Sequence, residues 1–128
     1  MSRPSSVNPT PGELEVLKIL WSCGECSSRD VQESLNEDGK ERAYTSVASL
    51  MNVMVDKGLL KRKQQGRAFL YSAKAAKRRT LSELLSDLVG RAFEGSASQL
   101  VAHLVESGKL TQEELDQIRQ AIDEHQEN

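Results

Sequence analysis

Ala43-Tyr44-Thr45-Ser46-Val47-Ala48-Ser49-Leu50-Met51-Asn52-Val53-Met54-Val55-Asp56-Lys57-Gly58 runs directly into Leu59-Leu60-Lys61-Arg62-Lys63-Gln64-Gln65-Gly66-Arg67-Ala68-Phe69-Leu70-Tyr71-Ser72. In the first half, Val47, Leu50, Met51 and Met54 recur at i, i+3, i+4 and i+7, the spacing that gives a helix one apolar stripe to bury. The opposite face is short and polar. Thr45, Ser46, Ser49 and Asn52 share it with Ala48 and Val53, a surface low enough to enter a DNA major groove of roughly 12 Å. Gly58 tolerates the left-handed geometry that ends a helix. Two short strands are predicted next, joined by a hairpin turn at Gln65-Gly66, with Phe69 and Tyr71 alternating with their neighbours.

Charge supports the same reading. Nine bases lie between Lys57 and Arg79 (Lys57, Lys61, Arg62, Lys63, Arg67, Lys74, Lys77, Arg78, Arg79) with no Asp or Glu among them. The chain holds 17 bases and 19 acids, so the remainder carries 8 bases against 19 acids. A net charge of −2 therefore hides a segregated basic stripe, the electrostatic footprint of a protein that meets a polyanion. Helix, hairpin and stripe together predict a mainly α fold with a small β-hairpin, a winged helix-turn-helix.

The 128 residues suffice for one small domain or two very small ones. Aromatic content of 4% limits burial within one copy, which makes oligomerisation an expectation for the second half. The start of the chain shows no apolar signal region, and no run approaches the ~20 apolar residues of a membrane span. A soluble, cytoplasmic protein without membrane insertion is expected. Cys23 and Cys26 stand in Cys23-Gly24-Glu25-Cys26 with no second pair, and the histidines, His103 and His125, lie far along the chain. A structural zinc site takes four ligands, so no metal or other cofactor is assigned. The two thiols read as small residues of a reduced loop, with redox sensing or a metal shared across a dimer as the alternative.

In chain order, residues 1–9 read as a flexible tail, 10–73 as the winged-helix domain and 74–125 as a helical dimerisation domain. Thr10-Pro11-Gly12-Glu13 is a capping box with Pro at the first helical position. Leu14, Leu17, Leu20 and Trp21 follow on one face, with Val16 at its edge and Ile19 off it. Glu25-Cys26 is placed as a very short strand against the wing. Ser27 caps a second helix, where Asp30 suits the positive end of the dipole and Val31 and Leu35 form a thin stripe. A fourth helix is predicted to start within Ser72-Ala73-Lys74-Ala75-Ala76-Lys77, carrying Leu81, Leu84, Leu85, Leu88, Val89, Ala92 and Phe93 at 3–4 spacing. Leu100, Val101, Leu104 and Val105 mark a fifth helix. Thr111 caps a sixth with Glu114, carrying Leu115, Ile118 and Ile122, and residues after Asp123 read as frayed. Narrow stripes on three short helices predict half of an intertwined dimer, with Leu81, Leu84, Leu85, Leu88, Phe93, Leu100, Val101, Leu104, Leu115, Ile118 and Ile122 at its interface.

Several segments in this order resemble the penicillinase-repressor family of bacterial regulators, the group of BlaI, MecI and the copper repressors of the CopY type. They are Glu13-Leu14-Glu15-Val16-Leu17-Lys18-Ile19-Leu20-Trp21, Ala43-Tyr44-Thr45-Ser46-Val47, Asp56-Lys57-Gly58-Leu59-Leu60, Gly66-Arg67-Ala68-Phe69-Leu70-Tyr71, Leu100-Val101-Ala102-His103-Leu104-Val105-Glu106 and Leu110-Thr111-Gln112-Glu113-Glu114-Leu115. The resemblance implies a homodimeric winged-helix repressor on palindromic operators of genes for antibiotic resistance or similar stress responses. It also implies release by proteolysis in the dimerisation region, downstream of a membrane sensor-protease. The chain departs from the family at three points. His103-Leu104 stand where the β-lactam members are cut at Asn-Phe, no cysteine follows Cys26 as copper members require, and Val53 replaces a recognition-helix arginine.

Arg42, Tyr44, Thr45, Ser46, Ala48, Ser49 and Asn52 are the DNA-facing candidates of the third helix and its approach, and Lys61, Arg62, Lys63 and Arg67 those of the wing. Asn52 has the atoms to bond an adenine edge, Ser and Thr reach bases or phosphates, and the cations suit phosphate or minor groove. Trp21, Phe69 and Tyr71 read as core, and His103 as a satisfied interface histidine. No Ser/His/Asp set, buried carboxylate pair or phosphate-binding glycine loop is present, so the sequence points away from catalysis. A protein-binding winged helix and a redox-responsive regulator are the competing readings.

Overall fold

The computed structural model describes residues 8–127. The expected tail at 1–9 falls almost wholly outside them. The chain divides into two compact units, one ending at Leu84 and one running from Leu85.

The first unit is built from α1 (Pro11–Cys23), α2 (Ser28–Glu37), α3 (Tyr44–Asp56), β1 (Leu60–Gln65), β2 (Ala68–Ala73) and the start of α4 (Lys77–Ala92). Both predicted caps of the first two helices form. Thr10 Oγ1 accepts from the Glu13 amide at 3.2 Å while Glu13 Oε1 accepts from the Thr10 amide at 2.9 Å, and Ser27 and Asp30 exchange the same pair of bonds. These satisfy amides that a helix start leaves without partners. The buried core comprises Val16, Leu17 and Leu20 of α1, Val31 and Leu35 of α2, Val47, Met51 and Met54 of α3, and Cys26, Leu60 and Tyr71 around the hairpin. Each fully buried Leu or Met there contributes about 1.5–3 kcal/mol. Ile19, which the α1 stripe leaves out, packs partly buried on the edge of this cluster.

β1 and β2 pair antiparallel with Arg62 opposite Tyr71. The turn is Gly66-Arg67, one residue later than Gln65-Gly66, because Gln65 pairs with Ala68. Gly66 has φ 65°, and a two-residue hairpin favours glycine in that first position. The expected short strand at Glu25-Cys26 is present as a bridge, Cys26 N–H donating to Tyr71 O at 3.0 Å and Tyr71 N–H to Cys26 O at 2.8 Å. The reduced-loop reading of the cysteines needs correction, since Cys23 and Cys26 are joined in a disulfide. Phe69 is also not core. It is 40% exposed, although it shares a face of β2 with buried Tyr71, because it stands two residues nearer the hairpin turn, opposite Gln64. Ser72 and Ala73, expected to open the fourth helix, belong instead to β2, whose pairing reaches Leu60.

The second unit contains the rest of α4, then α5 (Ala97–Glu106) and α6 (Gln112–Glu127). Helix α6 continues through the residues expected to fray, with Gln120 Nε2 donating to Glu124 Oε2 at 3.0 Å. His103 stacks edge-on against Phe93 with ring centroids 5.9 Å apart. None of the described residues from 85 onward is buried. No helix among the described residues is long and apolar enough to cross a membrane.

Candidate nucleic-acid interface

Helix α3 turns its Val47–Met51–Met54 stripe to the core and leaves Thr45, Ser46, Ser49, Asn52 and Val53 exposed on the far side, with Ala48 half-buried. The small residues keep that face low. At the helix start, Ala43 supplies no side-chain cap, so the first amides of α3 lack the side-chain partner that α1 and α2 have. Tyr44 is 40% exposed there, and the Arg29 guanidinium of α2 lies 4.7 Å from its ring centroid.

The wing approaches this face through one cluster. Arg62 Nη1 donates to Asn52 Oδ1 at 2.7 Å, Tyr71 OH donates to the same oxygen at 3.2 Å, and the Arg62 guanidinium lies 4.6 Å from the Phe69 ring centroid. In an antiparallel pair, opposed residues share a face and diagonal neighbours remain within reach of long side chains. That is why Arg62 touches both Phe69 and the helix above Tyr71.

The other predicted cations divide into two groups. Lys61 and Arg67 are exposed, Arg67 in the hairpin turn. Lys63 Nζ lies 3.3 Å from Glu25 Oε2. Arg42 Nη2 bonds Glu15 Oε1 at 3.0 Å, and its main chain is held by Asn36 and Gln32, which fastens the approach to α3 onto α2. The candidate cations are thus partly neutralised by acids of α1 and the turn after it, which a count along the sequence does not reveal. Lys57 is the clearest case. Its Nζ lies 2.8 and 3.0 Å from the two carboxylate oxygens of Glu13, a residue only 2% exposed. Burial opposes ionisation of Glu13, but the Lys57 bond, the Thr10 bonds and the Lys57 charge outweigh it and hold the carboxyl below the usual glutamate range.

Sequence reasoning missed Tyr71 as a contributor to this surface. Its place in the strand alternation marks it as core, which it is at 3% exposure, and the destination of its hydroxyl becomes visible only once the hairpin register is known.

A model of the penicillinase repressor family matches residues 9–124. A penicillinase repressor of Bacillus licheniformis is 24% identical over 113 residues, covering 88% of this chain and 88% of that protein. The methicillin resistance regulatory protein MecI of Staphylococcus aureus (strain N315) is 22% identical over 110 residues, covering 86% of this chain and 89% of that protein. Among solved structures, the solution structure of the DNA binding domain of the repressor BlaI matches at 21% identity with a TM-score of 0.49, covering 60% of this chain and 90% of that one.

Proposed function

Since the chain belongs to the penicillinase-repressor family, we propose that it acts as a homodimeric repressor, its two α3 helices in successive major-groove faces of a palindromic operator and its leucine-lined helices holding them together. The observation that carries this is the exposed polar face of α3, to which Arg62 ties the wing through Asn52, with Lys61 and Arg67 exposed on the same wing. Short polar side chains suit base edges, and the flanking cations suit phosphates, which set position without reading sequence. Thr45, Ser46, Ser49 and Asn52 are assigned to the groove, with Arg42, Tyr44, Ala48 and Lys63 at its margin.

Dimerisation is supported by what one copy leaves uncovered. Leu81, Leu85, Leu88, Val101, Leu104, Ile118 and Ile122 are all exposed large apolar residues, while Leu84, Phe93, Leu100 and Leu115 are half-buried. A unit of this size has too little interior to be stable alone, and a second copy would cover the leucine faces. Repression then follows from occupying promoter DNA. Release by a cut in this region, downstream of a membrane sensor-protease, is carried over from the family to His103-Leu104, both exposed on α5.

A gel-shift titration with the DNA upstream of its own gene tests the reading. Affinity should fall steeply as salt rises, log K declining by about 0.9 per log unit of salt for each phosphate neutralised. Binding that ignores salt, or none at all, rejects it in favour of a winged helix that docks protein. The Cys23–Cys26 bridge favours one second reading, redox control, because Cys26 is also paired to Tyr71 behind the recognition helix. Equal operator affinity before and after reduction removes that reading.

A further inference from the structure

Resting on the DNA-binding reading above, we infer that Asn52 and Arg62 form a single donor-only edge that reads guanine, with Tyr71 as its positioning residue. Asn52 Oδ1 is engaged twice, by Arg62 Nη1 at 2.7 Å and by Tyr71 OH at 3.2 Å. A guanidinium has five N–H donors and no acceptor, so turning the amide over would set its NH2 against another N–H. Chemistry therefore fixes which end of Asn52 faces outward. Both partners are held in turn. Arg62 lies against the Phe69 ring, and Tyr71 is buried, its main chain bonded to Cys26.

What Asn52 offers outward is Nδ2 with its two hydrogens, beside the Arg62 N–H groups that Asn52 does not use. An asparagine reads adenine by accepting from N6 with its oxygen while donating to N7. Here the oxygen is occupied, so adenine would place its N6 donor against donors. Guanine presents two acceptors, N7 and O6, on the same edge. Asn52 lies along the exposed α3 face with Thr45 and Ser49, so the edge points where those residues point. The adenine pairing expected of an unconstrained Asn52 is replaced by a guanine contact.

Selection of the full chain against a randomised duplex library tests this. The natural chain should enrich guanine at one position whose preference falls about tenfold in Asn52→Ala, while the other positions keep theirs. In the best site, 7-deazaguanine at that position, which lacks the N7 acceptor, should weaken binding by about tenfold without any change to the protein. Returning the oxygen in a double variant, Arg62→Ala with Tyr71→Phe, should admit adenine there, a shift in base preference that a merely structural role would not produce. Adenine enriched at that position by the natural chain, or no position responding to Asn52→Ala, overturns the inference while leaving DNA binding standing. No sequence enriched at all overturns both.

Discussion

Glu13 serves two ends at once. Its carboxylate closes the α1 capping box with Thr10 and bonds the Lys57 ammonium across 44 positions of sequence. Because its folded pKa lies below the ordinary value, the pair stabilises the fold fully above the unfolded pKa and loses that contribution as pH falls through the folded one. Lys57→Met removes the partner and leaves a buried carboxylate. We expect it to lower unfolding stability at neutral pH by about 2 kcal/mol, less than for a fully buried pair because Lys57 stays a third exposed. In the variant the Lys57 bond and charge are gone and only the Thr10 bonds oppose burial, so the Glu13 pKa rises relative to the natural chain, and melting curves of the two proteins should converge as pH is lowered below the usual glutamate range. The cap is legible in Thr10-Pro11-Gly12-Glu13, since it is local. The ion pair is not, and Lys57 reads along the chain as one more cation for DNA.

The wing shows how a one-residue error in a turn propagates. A turn at Gln65-Gly66 would set Arg62 opposite Phe69, whereas the observed turn at Gly66-Arg67 sets it opposite Tyr71. Strand existence, β-hairpin topology and the short Cys26 strand are all readable from alternation and glycine placement. The Arg62–Asn52–Tyr71 cluster is not, because it depends on register and on α3 crossing above the hairpin. Arg67, exposed in the turn, should behave as a phosphate contact. In Arg67→Ala, affinity for specific and random duplexes should drop alike, and the slope of log K against log salt should become shallower by about 1. A loss confined to one sequence would reassign Arg67 to base reading.

On the scale of the molecule, the two units follow different rules. The first has a closed core, with Leu17, Leu20, Leu35, Met51 and Met54 nearly inaccessible. The second has none among its described residues, a contrast already implied by a chain half with narrow leucine stripes and neither Trp nor Tyr. We expect Leu88→Asp to leave the first unit folded while light scattering reports a monomer, and operator affinity to fall by about a hundredfold as the two-site advantage is lost. A variant that still scatters as a dimer would move the interface off α4. The positions of the helices are legible because capping and periodicity are local. Which leucines meet which is not, since in the proposed dimer that depends on contacts outside the single chain.

Cys26 occupies one margin of the hairpin by bonding β2, so the opposite margin, along β1, is the open one among the described residues. An open strand border is a template on which a stray chain can extend a sheet, the first step toward fibrous aggregates. Lys61, Arg62 and Lys63 line this border, and their mutual repulsion would discourage a second copy from stacking there. The cations suited to a nucleic acid would thus also keep the protein from polymerising while it waits for one.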